Sequence, residues 1–264
     1  MTFDPRTAYL SDDEAARLYV RHPGLGRSYV DYCPTCNKAG TYIWRGVEQA
    51  CDCELQLQLA KIYFAAGIGL TYQRLDWGDF QGADEVVAGV AKYIENHQSY
   101  ISRGVGLFFT GPFGIGKSML ATLALKEFVK LGYRCYATTF AQTIEAFTST
   151  WGRDGKANQE FFQDKFLYSE VLLLDDLGRE LSGTTKLSES TFDTILRQRV
   201  SAGRPTFLTT NLTMSQLERG YGGAVLSLLR EKSVVFEFTG EDFRPKANRR
   251  ELDEIALGEV RPII

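Results

Sequence analysis

The segment from Gly111 to Ser118, GPFGIGKS, contains residue types suited to binding a chain of phosphates. It matches the phosphate-loop pattern G-x-x-x-x-G-K-[ST], in which glycines let successive backbone N–H groups surround a diphosphate. The pattern assigns Lys117 to the β- and γ-phosphates and the Ser118 hydroxyl to Mg²⁺. We therefore predict that ATP and Mg²⁺ bind here, with the nucleotide held by Gly111, Pro112, Phe113, Gly114, Ile115, Gly116, Lys117, Ser118 and Met119.

A phosphate loop needs a buried strand before it and a helix after it. Residues 106–110, GLFFT, form a short apolar run typical of such a strand. Residues 119–131 place Leu120, Leu123 and Phe128 at helical spacing, and the start of that helix adds a partial positive charge to an anion site. Both flanks disfavour the alternative of a chance glycine-rich turn.

Two adjacent acids follow a buried apolar run at residues 171–174. We assign Asp175 to the Mg²⁺ shell and Asp176 to polarising the attacking water. Neighbouring residues on a strand point to opposite faces, so the two acids are expected to have different roles. The alternative for either acid alone is a helix cap or a turn before Gly178.

Asn211 follows the next predicted strand, residues 205–210. At the end of a strand between the loop strand and the acid strand, its amide could orient water against the γ-phosphate. Taken alone, the same residue could cap a helix that starts near Met214.

Four cysteines form two close pairs, Cys33 with Cys36 and Cys51 with Cys53. Two thiolates on each of two tight turns can meet around one tetrahedral Zn²⁺, and four protein ligands would make the site structural. The C-x-C half departs from the commoner C-x-x-C. The alternatives are two disulfides, disfavoured in a chain without a leader, and a redox pair, for which no thioredoxin-like flanks are present.

The 264 residues, 44% of them hydrophobic and 24% charged, are sufficient for a full α/β core. The net charge of −3 argues against coating nucleic acid by bulk charge but allows a local basic groove. No run is long enough to cross a membrane and the N-terminus is no signal peptide, so a cytoplasmic protein without a membrane partner is expected. A break near residue 67 divides the chain into a zinc module at 1–66, a linker at 67–82 and a nucleotide domain at 83–264.

The predicted elements alternate between strand and helix, which indicates an α/β fold with a parallel sheet covered on both faces. A capping-box pattern from Ser11 to Glu14 predicts a short helix at 12–20, and residues 152–158 are predicted to be a polar break. The strands are predicted at 106–110, 133–139, 170–176, 205–210 and 234–238, and the helices at 54–66, 83–101, 119–131, 140–151 and 187–202.

Gly111 to Ser118, Leu172 to Gly178 and Pro205 to Thr213 together resemble AAA+ ATPases of the DnaC and DnaI type, which load bacterial replicative helicases, and their relatives the IstB transposition helpers. The resemblance covers residues 65–244, and it implies a P-loop AAA+ core. Some loaders also carry an N-terminal zinc-binding segment that engages the helicase. IstB-type proteins usually lack that segment, and the resemblance leaves a phage or a host origin open.

The resemblance implies roles for four positions. Asn211 corresponds to sensor 1 and Arg244 to the sensor 2 arginine near the γ-phosphate. Leu228 occupies the place of the arginine finger that acts on a neighbouring subunit, and Arg230 is the nearest substitute or a solvated charge. This departure puts efficient hydrolysis between subunits in question.

Loaders contact single-stranded DNA through loops after the second strand and after the acid strand. In this chain the corresponding positions mix basic and aromatic residues, which suits stacking and phosphate contact but equally an ordinary surface. They are Arg153, Lys156, Phe161, Phe162, Lys165, Arg179 and Lys186.

The resemblance thus implies an ATPase that self-associates through its ATPase domains and places a DnaB-type helicase on single-stranded DNA. The alternatives are an IstB-like helper of a DNA transposase and a regulatory ATP-binding adaptor that hydrolyses little.

Overall fold

The computed structural model describes residues 20, 33, 35–37, 39–152, 155–178, 185–258 and 261–264. Its central element is a five-stranded sheet in the order β4-β5-β6-β3-β7, with every neighbouring pair parallel. The strands are β3 (Gly106–Thr110), β4 (Cys135–Thr139), β5 (Val171–Leu177), β6 (Thr206–Thr210) and β7 (Ser233–Glu237). This architecture confirms the predicted α/β class, and each predicted strand is present to within two residues at either end.

Helices connect the strands, and a separate antiparallel hairpin, β1 (Thr41–Trp44) and β2 (Val47–Ala50), precedes them. The helices are α1 (Asp52–Ala65), α2 (Leu70–Gln73), α3 (Asp84–Glu95), α4 (His97–Ile101), α5 (Lys117–Lys130), α6 (Phe140–Ser149), α7 (Gly155–Phe162), α8 (Thr185–Ser201), α9 (Met214–Tyr221), α10 (Gly223–Glu231) and α11 (Arg244–Leu257). Among the residues that the structure describes, no helix combines the length and the apolar character needed to span a membrane.

Two sequence-based predictions need correction. The single helix predicted over residues 83–101 is interrupted at Asn96, which ends α3 and whose amide donates to the carbonyl of Lys92. The polar break predicted at 152–158 is already helical from Gly155 onward. The helix predicted at 12–20 lies outside the described residues except for Val20.

The two faces of the sheet form separate cores because side chains alternate along each strand. Leu107 and Phe109 pack with α1, α3 and α5 on one face, whereas Phe108 packs with α6, α8, α9 and α10 on the other. All five residues of β3 are buried, as expected for a parallel strand covered on both sides. The loop that follows β3 is therefore held on a rigid base.

Helix α1 contributes to both the cysteine cluster and the nucleotide core. Cys53 and Leu57 belong to the buried cluster beside the hairpin, whereas Ala60 and Tyr63 are fully buried in the core that contains α5. The domain boundary predicted after residue 66 stays a prediction. Helix α1 lies before this boundary, but it packs both in the cysteine cluster and in the nucleotide core.

The linker is attached to α5 through Lys126, which is only 2% exposed. Its ammonium group donates to the backbone oxygens of Tyr72, Gln73 and Leu75 at 3.1, 3.2 and 2.7 Å. Burial lowers the pKa of Lys126 to about 8. Helix α5 begins in the phosphate loop, and its second half thus fixes the position of the linker.

Residues near the end of the chain complete the same region. The Tyr63 hydroxyl donates to the Ile264 oxygen at 2.8 Å, and the Ile264 N–H donates to the Gln73 oxygen at 3.1 Å. Ile263 is buried in the core with α1 and α5. The C-terminal residues are therefore an integral part of the nucleotide core.

The lowered pKa of Lys126 predicts a distinctive pH dependence of stability. Its folded-state pKa, about 8, is below that of an unfolded lysine, about 10.4, so between these values the unfolded chain binds more protons. The free energy of unfolding should therefore rise with pH, relative to Lys126→Met, by about 1 to 2 kcal/mol between pH 7.5 and 9.5. Urea denaturation of both proteins measures the difference, and a gap that does not change with pH contradicts the assignment.

Candidate functional site

The predicted phosphate loop joins β3 to α5, and Lys117 is the first residue of that helix. The Lys117 ammonium is buried and donates to the backbone oxygens of Gly111 and Pro112 at 2.9 and 2.5 Å, and to Asn211 Oδ1 at 2.7 Å. All three acceptors are neutral oxygens that a phosphate could replace. Lys117 thus lies at the predicted anion site, held by the loop itself.

Two loop glycines are required by their backbone angles and by close neighbours. Gly116 has φ +93°, and a β-carbon there would lie 2.7 Å from the Phe80 ring. Gly114 has φ +76°, and a β-carbon there would lie 1.9 Å from Asp242 Oδ1. The linker and the segment before α11 therefore both contact the loop.

The order of the strands brings the loop and the acids together. Strand β6 lies between β3 and β5, so the carboxyl ends of all three meet at one edge of the sheet. Asn211 follows β6 and Asp175 lies near the end of β5. This is the position between the loop strand and the acid strand that the sequence predicts for Asn211.

A β-bulge changes the directions of the two acids. Leu174 is paired with Leu208 but Leu177 with Thr210, so β5 has one more residue than β6 between these pairs. Asp176 lies in this bulge with φ +59°, an unusual angle for a residue with a side chain.

Each carboxylate accepts a hydrogen bond at the end of β6. Thr209, on β6, donates to Asp175 Oδ1 at 2.5 Å, and the amide of Asn211, which follows β6, donates to Asp176 Oδ1 at 2.8 Å. The prediction that the acids point in opposite directions assumed a regular strand, and the bulge interrupts that regularity at Asp176.

These contacts form one continuous chain of hydrogen bonds. It runs from Lys117 to Asn211, from Asn211 to Asp176, and from the Asp176 N–H to the Thr209 hydroxyl at 2.9 Å, then to Asp175. The predicted groups of the phosphate loop, sensor 1 and acid pair are thereby connected directly. Thr209 is a member of this chain that the sequence analysis missed.

The alternative role of Asn211 as a helix cap is not supported. Thr213 is the N-cap of α9, where its side chain accepts from the N–H of Gln216 and the Gln216 side chain accepts from the N–H of Thr213. The amide of Asn211 instead contacts Lys117 and Asp176.

Electrostatic effects extend the site to the linker and α11. Burial lowers the pKa of Lys117, the carboxylates of Asp176 and Asp175 oppose this, and the charge of Arg244 adds to it. Burial also raises the pKa of Tyr72, with a further increase from Asp175 and a decrease from Arg244. The N–H of Arg244, at the start of α11, donates to Asp242 Oδ1 at 2.9 Å, and Asp242 lies beside Gly114 of the loop.

Arg230 lies apart from this network. It is exposed on α10, while Leu228, at the position expected for an arginine finger, is partly buried against the core. Its role as an arginine finger stays a prediction.

The residues present fit a magnesium ion by their chemistry. Ser118 lies in the first turn of α5 and Asp175 near the end of β5, and both are partly buried. Hydroxyl and carboxylate oxygens are ligands that Mg²⁺ prefers. These two residues could hold the ion beside bound phosphates.

The four cysteines also fit a metal. Their Sγ atoms all lie within 4.8 Å of one another, although Cys33 and Cys53 are separated by the whole β1–β2 hairpin. Tetrahedral Zn²⁺ with bonds of ~2.3 Å separates its sulfurs by ~3.8 Å, close to this spacing. The backbone N–H of Cys36, together with the Cys51 thiol, lowers the pKa of Cys33 to about 6, which favours a thiolate ligand.

The predicted DNA contacts are only partly compatible with the structure. Phe162 is buried and stacks on Phe166 with ring centroids 4.7 Å apart, so it is a core residue and not a platform for bases. Lys156 and Lys186 are exposed, and Lys165 lies over the Tyr136 ring. Arg153 and Arg179 lie outside the described residues. Phe162 is therefore excluded as a DNA contact, and the other DNA contacts stay predictions.

Comparison with known proteins places these features in a family. A sequence model of the family described as "IstB-like ATP binding protein" matches residues 71–251. The replicative helicase loader DnaC of Escherichia coli strain K12 is 21% identical over 200 residues, which are 74% of this chain and 79% of DnaC. An ATP-binding protein of insertion sequence IS5376 from Geobacillus stearothermophilus is 28% identical over 156 residues, 57% of this chain and 60% of that protein.

The fold has a counterpart among solved structures. The crystal structure of the DnaC helicase loader matches with a TM-score of 0.55 at 24% identity, covering 65% of this chain and 100% of that one. This likeness concerns the fold, and it confirms the predicted P-loop AAA+ core.

Removal of one cysteine tests the metal site. We expect the purified protein to contain about one zinc ion per chain, and Cys36→Ser to lose most of it because three ligands bind zinc far more weakly. Elemental analysis by mass spectrometry measures the content. Cys135→Ser is the matched control because Cys135 lies on β4, outside the cluster. Equal zinc in all three proteins would contradict the site.

Gly114→Ala tests the loop geometry. A β-carbon at Gly114 would be strained at φ +76° and would displace the Asp242 carboxylate, so we expect the Kd for ATP to rise by roughly tenfold. The control is Gly132→Ala, since Gly132 has φ +88° but no atom within 4 Å of the added carbon. Both variants carry backbone strain, and equal loss of binding in the two would reject a specific role for the loop. Isothermal titration calorimetry measures the Kd.

Proposed function

The chain belongs to the family of IstB-like ATP-binding proteins, and from this premise we propose that it is an ATPase that loads a replicative DnaB-type helicase onto single-stranded DNA. The hydrogen-bond chain from Lys117 to Asp175 carries the ATPase part of the proposal. It joins a phosphate-binding lysine, a polar amide and two acids at one edge of the sheet, the set needed for hydrolysis of a nucleoside triphosphate.

Each residue would then act on a defined part of the reaction. The loop N–H groups and Lys117 would bind the phosphates after Lys117 exchanges the oxygens of Gly111 and Pro112 for phosphate oxygens. Asp176 would accept a hydrogen bond from the attacking water, and Asn211, already bonded to Asp176, would orient that water against the γ-phosphate. Mg²⁺ held by Ser118 and Asp175 would neutralise phosphate charge.

Arginines would provide the remaining positive charge. Arg244 would stabilise the γ-phosphate within the same chain, and Arg230 would act on the site of a neighbouring copy. Self-association through the ATPase domains follows from this second role. Because the site would then be completed between copies, an isolated monomer should hydrolyse ATP slowly.

The cysteine cluster supports the loader role over other ATP-driven functions. The module at 1–66 would hold zinc and bind the helicase, and α1 connects it without interruption to the nucleotide core. The match to DnaC covers a larger share of this chain than the match to the insertion-sequence protein, 74% against 57%. A closed four-thiolate site would make zinc a folding element of this module.

Two observations favour other candidates. The relative from insertion sequence IS5376 has the higher identity, 28%, which favours an IstB-like helper of a transposase. The partly buried Leu228 at the arginine-finger position favours a regulatory ATP-binding adaptor with little hydrolysis.

A binding experiment separates these candidates. The protein is mixed with the DnaB-type helicase of its source organism with ATP or ADP, and complexes are weighed by native mass spectrometry. We expect a complex whose amount depends on the nucleotide, lost in Cys33→Ser/Cys36→Ser and no longer ATP-dependent in Lys117→Ala. Cys135→Ser is the control for cysteine replacement.

The other outcomes identify the alternatives. Absence of a helicase complex, together with ATP-dependent assembly on duplex DNA, would contradict the loader role and indicate a transposition helper. A complex that forms without turnover, with or without single-stranded DNA, would indicate the adaptor.

A further inference from the structure

We propose that Thr209 is a positioning residue that sets the geometry of both acids and thereby the Mg²⁺ dependence of nucleotide binding. The inference rests on the proposed ATP site and concerns a residue to which neither the phosphate-loop pattern nor the acid pair assigns a role. Thr209 is 1% exposed, and its hydroxyl touches both acid residues.

The bulge in β5 explains why a hydroxyl is needed there. Between Leu174 and Leu177 the register to β6 is broken, so the N–H of Asp176 lies outside the regular ladder. This N–H donates to the Thr209 hydroxyl at 2.9 Å. Since a partly buried N–H outside the ladder still needs an acceptor, the Thr209 hydroxyl supplies one and supports the unusual φ of +59° at Asp176.

The same hydroxyl fixes the orientation of Asp175. An N–H can only donate, so Thr209 Oγ1 accepts from Asp176 and its single hydrogen goes to Asp175 Oδ1 at 2.5 Å. This fixes the rotation of the carboxylate and leaves Oδ2 without a bond to Thr209. Groups that orient metal ligands in this way usually change metal affinity by about 10- to 100-fold when they are removed.

Thr209 also connects the acids with the residue that contacts Lys117. Asn211 follows Thr209 by two residues, just beyond the end of β6, and it bonds to both Lys117 and Asp176. The two hydrogen bonds of the Thr209 hydroxyl do not involve Lys117, so they do not require the bond between Lys117 and Asn211. Thr209 can therefore hold both acids in place when Lys117 binds phosphate instead of Asn211.

Thr209→Val and Thr209→Ser separate the hydroxyl from the shape of the side chain. Valine has the volume of threonine without the hydroxyl, whereas serine keeps the hydroxyl. The matched control is Thr191→Val, because the Thr191 hydroxyl is buried with no hydrogen-bond partner among the described residues. Thr209→Ala is added so that a failure of valine to pack does not decide the result.

The measurement is the Kd of the fluorescent analogue N-methylanthraniloyl-ATP in Mg²⁺-free buffer and with MgCl₂, without a chelator that would also remove zinc from the cysteine cluster. The Kd without Mg²⁺ divided by the Kd with Mg²⁺ reports how strongly Mg²⁺ supports binding and requires no hydrolysis. We expect Thr209→Val and Thr209→Ala to lower this ratio by about tenfold with the Kd without Mg²⁺ unchanged, and Thr209→Ser and Thr191→Val to keep the wild-type ratio. Thermal melting followed by circular dichroism checks that each variant is folded.

Several results would overturn the inference. These are a wild-type ratio in the valine and alanine variants, an equal loss of binding with and without Mg²⁺, or a serine variant that behaves like valine. A wild-type protein whose binding does not respond to Mg²⁺ would overturn it as well. Failure to bind the helicase would contradict the loader role but leave this ratio measurable, so the two proposals fail separately.

Discussion

The insertion of β6 between β3 and β5 is the constraint on which the site depends. In a parallel sheet the carboxyl ends of neighbouring strands are about 5 Å apart, so three strands in this order bring three loops within contact distance. Lys117, Asn211 and the acid pair come from segments about 35 to 95 residues apart, and this strand order brings their side chains within hydrogen-bond distance. Both faces of the sheet are closed by large apolar cores, which hold that edge rigid.

The acid strand shows how a local irregularity serves a polar site. A regular β5 would direct Asp175 and Asp176 to opposite faces, and one carboxylate would enter an apolar core. The bulge avoids this at the cost of an unusual backbone angle, of order 1 to 3 kcal/mol, which the contacts from β6 offset. The strain is confined to the place where two negative charges are needed side by side.

The fold and the groups of the ATP site could be predicted from the sequence because they depend on local signals. A buried strand, a glycine-rich loop and an amphipathic helix follow each other without gaps, and the apolar run before Asp175 identifies its strand. The bulge could not be predicted, since it arises from the register between β5 and β6 and has no glycine to mark it. Thr209 was missed for the same reason: a threonine inside a strand is ordinary until its partner strand is known.

Asp242 shows a second limit of sequence reasoning. Its contact with Gly114 joins residues 128 positions apart, and nothing in either segment indicates it. The sequence predicts which cysteines form the cluster but not how the cluster lies relative to the core. The reason is that the first residues of α1 pack in the cysteine cluster and the later ones pack in the core.

The contact between Tyr63 and Ile264 has a consequence for how the chain reaches this structure. The two residues are 201 positions apart, and closing so large a loop is entropically costly until other contacts have shortened it. On the ribosome, α1 and the linker emerge long before residues 261–264, so the core around Tyr63 and Ile263 cannot close until those residues have been made. Until then the buried surface of α1 is exposed, and the nucleotide core closes only as its last described residues arrive.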